Sequence, residues 1–400
     1  MDQSDKGGTG MNILHISPFV PDVHANHAGG VCMGKQVEAL KKNHNVTVLT
    51  FVNNEHERKL IQNHPDYEYV ETNKWSFIGN ILLHLSQPNM FAIRNSKTFK
   101  KKLLKIIEEK KIDAIHAEYT AMGQYIWIKK KYPNIIFNMT EHDVVVQSYT
   151  RQVHEVKGLK KLYCQIELNK VKKCEKEYVS NANTVMTFND KDANLLKEIY
   201  HSKNVEVLNP YYGVDFNNIP KVEKIPNSIC FVGQMGRDEN HIAAMRLIDI
   251  FKQCNQLDWK LNIIGAYPKD ELKVMECENI HITGFVDDIN TEILKNEIAV
   301  FPLTYGAGIK LKVLLAFGLG LPVITTAVGA EGIDEEGKVL NLAESDSEIK
   351  EQMIQLLSNR EALKEKRQDC ISFVNEKFNW KKTEDIFDRL YQSKEMRGTK

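Results

Sequence analysis

Between residues 298 and 326 two apolar, β-branched runs, Ile298–Leu303 and Pro322–Thr326, enclose a glycine-rich loop, Gly306-Ala307-Gly308, and an apolar stretch, Ile309–Leu319. Short β-branched runs bounded by turn residues read as buried strands. The order strand, glycine turn, helix, strand requires a parallel pair with a right-handed crossover. Gly306 and Gly308 let backbone N–H groups come close to an anion. A helix beginning near Ile309 aims its positive end at the same place, and Lys310 and Lys312 add charge. A phosphate site is expected here. Helix positions two apart face different ways, so one lysine is expected to reach the phosphate, and Lys310, nearer the loop, is the candidate.

The same alternation runs through the chain in two series. Strands are expected at Met11–Ser17, Asn45–Phe51, Asp113–Glu118, Ile135–Thr140, Thr184–Phe188 and Val205–Leu208. Helices are expected at Val31–Lys42, Lys97–Lys110, Gly158–Val179 and Asp190–Tyr200. After a turn-rich junction, strands recur at Ser228–Val232, Lys260–Ile264 and His281–Thr283, a helix lies near Ile242–Gln253, and the tail Asp346–Tyr391 is helical. Two such series predict an α/β chain of two doubly wound, Rossmann-like domains, with ligands at the carboxyl ends of the strands in a cleft. The expected division is a disordered leader over 1–10, a first domain over 11–205, a second over 206–375, and a terminal helix over 376–400.

Composition narrows the functions. The 53 Lys and Arg balance 53 Asp and Glu, so nothing global favours nucleic acid. The seven cysteines form no C-x-x-C pair, which argues against a zinc knuckle or a disulfide framework and for free thiols in a reducing compartment. No apolar run is long enough to span a bilayer and the first ten residues lack a signal-peptide core, so a cytoplasmic location is expected.

The second half resembles the donor-binding half of the two-domain (GT-B) glycosyltransferases, specifically the retaining family 4. The likeness rests on T-G-F-V-D-D-I, on P-L-x-x-G-x-G-I-K-x-K-V-L-x-A-x-G-x-G-L-P-V-I-T-T, and on G-A-E-G-I, in order. It implies a GT-B fold with the domains facing across a cleft and the last helix crossing back to the first domain. It implies transfer of a sugar from a nucleotide-sugar to an acceptor hydroxyl with retention, without a cofactor or essential metal. The business of such enzymes suggests a surface polysaccharide or glycoconjugate, with a glycan, lipid-linked or protein acceptor.

Candidate site residues follow. Gly29-Gly30 is either a helix-start turn or, as the resemblance implies, backbone lying against donor and acceptor. His142, in Glu141-His142-Asp143 at a strand end, is the candidate for a sugar hydroxyl or a phosphate, against a structural histidine, and Asp143 is either the alternative polar group or a cap. Gly233 and Arg237 stand where the family faces the donor diphosphate, and Arg237 is either a phosphate ligand or a surface residue. Asn240 is either a family position or a helix cap. Gly306, Gly308, Ile309, Lys310 and Lys312 form the phosphate loop. The chain departs from the family at Leu315, where a glutamate usually holds the ribose hydroxyls. Leucine cannot accept a hydrogen bond, and Glu331 is the nearest remaining carboxylate. Leu315 also motivates a rival, a catalytically inactive binding or chaperone subunit of a glycosylating complex. A nucleotide-sugar epimerase is a third reading.

Three other patterns are expected to be local structure. Gly29 to Lys35 spells G-x-x-x-x-G-K, but Gln36 replaces the Ser or Thr that a P-loop uses for magnesium. Asp190-Lys191-Asp192 mimics a metal-binding D-x-D but opens a helix, where acids cap. The basic run Lys97–Lys111 is a surface helix or a peripheral membrane contact, and Trp75–Leu85 is a candidate to hold a lipid or protein acceptor.

Overall fold

The computed structural model describes residues 10–392 except residues 26, 215–218 and 307. Residues 1–9 of the expected leader, Ala307 of the glycine loop and residues 393–400 lie outside the described residues. By internal contacts the chain divides into two units, Met1–Pro210 with Trp380–Lys400, and Tyr211–Asn379.

The first unit is built on seven strands: β1 (Asn12–Ser17), β2 (Asn45–Val52), β3 (Glu68–Glu71), β4 (Ala114–Glu118), β5 (Ile136–Thr140), β6 (Thr184–Thr187) and β7 (Val205–Val207). They pair in parallel in the order β3-β2-β1-β4-β5-β6-β7. Strand order reverses between β1 and β4, which is where open α/β sheets bind ligands. Every β4 residue is buried, as expected when helices cover both faces. Register sets His15 beside His116 and Glu118 beside Thr140. Alternation then puts these four on one face. The other face sends Leu14, Ile16, Ile115, Ala117, Phe137 and Met139 into a core shared with Phe99, Leu103, Ile106 and Ile107.

Those last four come from the basic helix Lys97–Glu109, capped by the Ser96 hydroxyl. Its apolar side faces the core, so it is an ordinary amphipathic surface helix. The terminal helix Trp380–Leu390 is also tied to the first unit. Thr383 Oγ donates to the Asn209 carbonyl and accepts from its N–H, each at 2.8 Å. Arg389 forks onto Glu206 at 2.8 and 2.9 Å.

The second unit has six strands: β8 (Ser228–Val232), β9 (Lys260–Ile264), β10 (Ile280–Gly284), β11 (Ile298–Phe301), β12 (Val323–Thr325) and β13 (Asn341–Leu342). All pairs are parallel, in the order β10-β9-β8-β11-β12-β13, so the reversal falls between β8 and β11. Phe231, Phe301, Val313, Phe317 and Ile324 are fully buried in its core. The helical tail is three helices, Asp346–Ser358, Arg360–Lys377 and Trp380–Leu390.

Several helix starts differ from expectation. The helix placed at Val31 begins at Ala28, because His27 Nδ1 accepts the Gly30 N–H at 3.0 Å. Gly29 and Gly30 therefore lie inside its first turn. The helix placed at Ile309 begins at Leu311, because Gly308 takes a positive φ of 67°. Asn240 is not a cap: the helix Asp238–Cys254 starts at Asp238, and Asn240 is buried in its first turn. Asn189, not an aspartate, caps Asp190–Tyr200, and Asp192 is buried and bonded to Asn189 Nδ2 at 2.9 Å.

Candidate functional site

In the second unit the candidate site stands at the carboxyl end of β11, beside the strand reversal. Gly306 has φ 136° and Gly308 φ 67°, conformations that a side chain disfavours. The chain then enters the helix Leu311–Gly318, whose start has no side-chain cap. Lys310 Nζ lies 2.5 Å from the Gly308 carbonyl and 3.6 Å from Glu331 Oε2, and both side chains are about nine-tenths buried. Lys310 and Glu331 are thus brought together from opposite ends of the βαβ unit.

Lys312 takes a different direction, as expected for two positions apart. Its ammonium bonds Asn240 Oδ1 and sits 5.7 Å from the Phe231 ring centre. Its pKa is lowered to about 8, chiefly by burial, which Glu239 opposes and Arg237 assists. Asn240 Nδ2 in turn donates to the Gln234 carbonyl at 2.9 Å. This ties the loop after β8 to a lysine in the first turn of the helix Leu311–Gly318. Gly233 is required there because a Cβ would stand 2.9 Å from the Asn240 amide. Arg237 is largely exposed and pairs with Glu239 at 2.5 Å. Leu315 is half-buried on the same helix, and the nearest atom to a Cβ built on Gly213 is its Cδ1, at 3.7 Å.

In the first unit the sheet register assembles a cluster that sequence spacing did not suggest. Glu118 is fully buried and accepts from His116 Nε2 at 2.9 Å and from His142 Nε2 at 2.7 Å. His116 Nδ1 meets the Tyr391 hydroxyl at 2.7 Å, and Thr140 Oγ1 lies 3.1 Å from His116 Nε2. Burial pushes the Glu118 carboxyl up, but the hydrogen bonds from His116 and His142, with His15 close by, outweigh it and hold the group well below the usual range. An ionised carboxylate only accepts, so both Nε2 atoms carry protons.

His15 lies 3.4 Å from the same carboxylate without an aligned hydrogen bond, and burial lowers its pKa. His15, His116 and Glu118 hold ligand-type atoms within 4.8 Å of one another. The two imidazoles, however, stack 5.3 Å apart with planes 15° from parallel. Glu118 is engaged by two imidazole Nε2 atoms, and as described the cluster is a hydrogen-bond network.

Tyr119 completes it. The residue has φ 66° and ψ 146°, a costly conformation outside glycine. Its ring stacks on His142 at 3.8 Å and 6°. A Cβ on Gly29 would fall 1.9 Å from its hydroxyl, so a side chain at 29 would displace the Tyr119 ring from its place on His142. Glu141 is buried and Asp143 bonds Ser148 at 3.2 Å, which leaves His142 as the member of its triplet held in the network.

Two doubly wound parallel units with these glycine loops define the GT-B fold. Residues 226–359 match the family model described as Glycosyl transferases group 1, so the second unit carries that family's pattern. An uncharacterized glycosyltransferase of Methanocaldococcus jannaschii is 26% identical over 223 residues. That match covers 49% of this chain and 55% of the relative, so the chain spans just over half of that protein. Among solved structures, a sucrose-phosphate synthase from Thermosynechococcus elongatus aligns over 98% of this chain and 100% of its own, with TM-score 0.70 and 16% identity. Anabaena HepE in complex with UDP and glucose aligns over 95% and 99%, with TM-score 0.70 and 13% identity. These likenesses show the fold.

Proposed function

We propose that the chain is a retaining glycosyltransferase that moves a sugar from a nucleotide-sugar to an acceptor hydroxyl without an essential metal, in surface polysaccharide or glycoconjugate synthesis. The observation that carries this is Lys310, held between the Gly308 carbonyl and Glu331 at the start of the helix Leu311–Gly318. As the bond from sugar to diphosphate breaks, negative charge develops on the departing phosphate oxygen. Lys310 and the helix end stabilise that charge from fixed positions. The departing oxygen takes the proton of the attacking hydroxyl on the same face of the sugar, which gives retention. His142, oriented by Glu118 and Tyr119, holds a sugar hydroxyl. The presence of UDP with HepE, and of ADP with a starch synthase of the same fold, supports a nucleotide diphosphate product.

Leu315 supports the rival reading, an inactive binding partner, because it removes a ribose acceptor. Calorimetric titration with UDP, GDP and ADP decides between them. One nucleotide should bind, and Lys310→Ala should weaken it by about tenfold or more, the scale of a lost charged hydrogen bond. If none of the three binds the folded protein, the transferase reading fails. A product formed only with added acceptor excludes the epimerase.

A further inference from the structure

The helix Lys74–Leu83 is well formed, opened by a capping box between Asn73 and Ser76, yet it buries none of its residues. Its inner side is defined by Phe77, 5.5 Å from the Arg94 guanidinium, and by Asn80, which donates to the Ile93 carbonyl at 3.2 Å. Its outer side is apolar. Trp75, Ile78 and Leu82, spaced three and four apart, are 81%, 50% and 65% exposed, and Leu83 and Leu85 extend the stripe.

A second stripe lies on the first turns of the helix Gly158–Asn181. Leu159, Leu162, Tyr163 and Ile166 are all exposed, Leu159 at 87%, while Cys164, Glu167, Leu168 and Val171 face inward. Asn89 joins the two regions. Its Nδ2 donates to Tyr163 Oη at 2.8 Å and its N–H to Glu167 at 2.7 Å, one turn from Ile93. Such an array exceeds the scattered apolar residues of an ordinary surface.

Charge selects the occupant. Residues 74–94 contain no acid, nor do residues 157–166, while Lys74, Lys157, Lys160 and Lys161 are exposed among the apolar side chains. A protein core offers nothing to these ammonium groups, whereas anionic lipid headgroups above an apolar layer satisfy both features. Trp75 and Tyr163 are residue types favoured at that boundary. Among the described residues no helix is long and apolar enough to cross a membrane.

We infer that these two stripes form a peripheral docking surface for an anionic lipid bilayer. The basic helix Lys97–Glu109 is not that surface, since its apolar side is in the core. The inference stands apart from the donor site and survives a negative nucleotide titration.

Flotation with vesicles of phosphatidylcholine alone, or mixed with phosphatidylglycerol, tests it. The chain should float with the anionic vesicles, less at high salt, and Trp75 emission should shift to the blue. Trp75→Ser with Leu82→Ser should reduce partitioning at least about tenfold. Lys160→Ala with Lys161→Ala should weaken binding to anionic vesicles and remove much of its salt dependence. These positions are exposed, and an unchanged Tm confirms folding. Failure to bind anionic vesicles, or binding indifferent to both variants, overturns the inference. So does a wild-type dimer that Leu82→Ser converts to monomer, because a second copy would then cover the face.

Discussion

Glu118 carries a negative charge in a dry place because imidazoles surround it. Glu118→Gln keeps the shape and removes the charge. The carboxylate accepts the His142 Nε2–H at 2.7 Å, and that bond fixes which ring nitrogen carries the proton. The amide can also donate, which permits the other His142 tautomer. The expected result is a transfer rate down by roughly tenfold with donor KM little changed, the scale of one misplaced charge-assisted hydrogen bond to the sugar. Nitrogen NMR should show an altered His142 tautomer. A lower Tm with an unchanged tautomer would make Glu118 merely structural. The strand D-A-I-H-A-E was legible in sequence, but the role of its last residue was not. Its partner His142 lies 24 positions away, and only the pairing of β4 with β5 brings them together.

At the scale of elements, the helix Leu311–Gly318 and the terminal helix make opposite demands. The first presents half-buried Leu315 where the resembled family has a glutamate. Leu315→Glu should cost little stability and tighten nucleotide binding by about tenfold, one charged hydrogen bond, in the same calorimetry. Unchanged affinity would mean that this position does not face the ribose. The terminal helix instead closes a core. Tyr391 is fully buried and its hydroxyl meets His116. Tyr391→Phe should destabilise the chain by about 1–3 kcal/mol in urea denaturation, since it leaves a buried nitrogen unpaired. The central strands and the longer helices were legible because apolar periodicity and cap residues are local, whereas the helices Glu55–Gln62, Lys74–Leu83 and Val145–Glu155 were not read. The edge strand β3, E-Y-V-E, was not, since an edge needs no apolar run. Nor was β13, which is only two residues long.

For the molecule as a whole, a buried carboxylate pair couples folding to pH. Burial raises Glu175 to about 7, against hydrogen bonds from Tyr200, Val145 and Val146. Burial, then the charges of Glu175 and Asp143, raise Glu141 well above its usual value. Both folded pKa values exceed the unfolded 4.5. Folding therefore takes up protons, and this stability is complete below about pH 4.5 and lost as pH rises through 7. Glu141→Gln should raise Tm at pH 8 by roughly 5 °C and leave it nearly unchanged at pH 4.5, in calorimetric scans. An equal shift at both pH values would refute the linkage. The sequence by itself determined the two strand-and-helix series, the glycine loop and the two lysines, because each is written in neighbours a few residues apart. Only the tertiary structure decided that Lys310 faces Glu331, that Lys312 turns to Asn240, and that His116 and His142 share Glu118. Parallel strands set side by side residues far apart in the chain, and no local pattern records which side chains will meet.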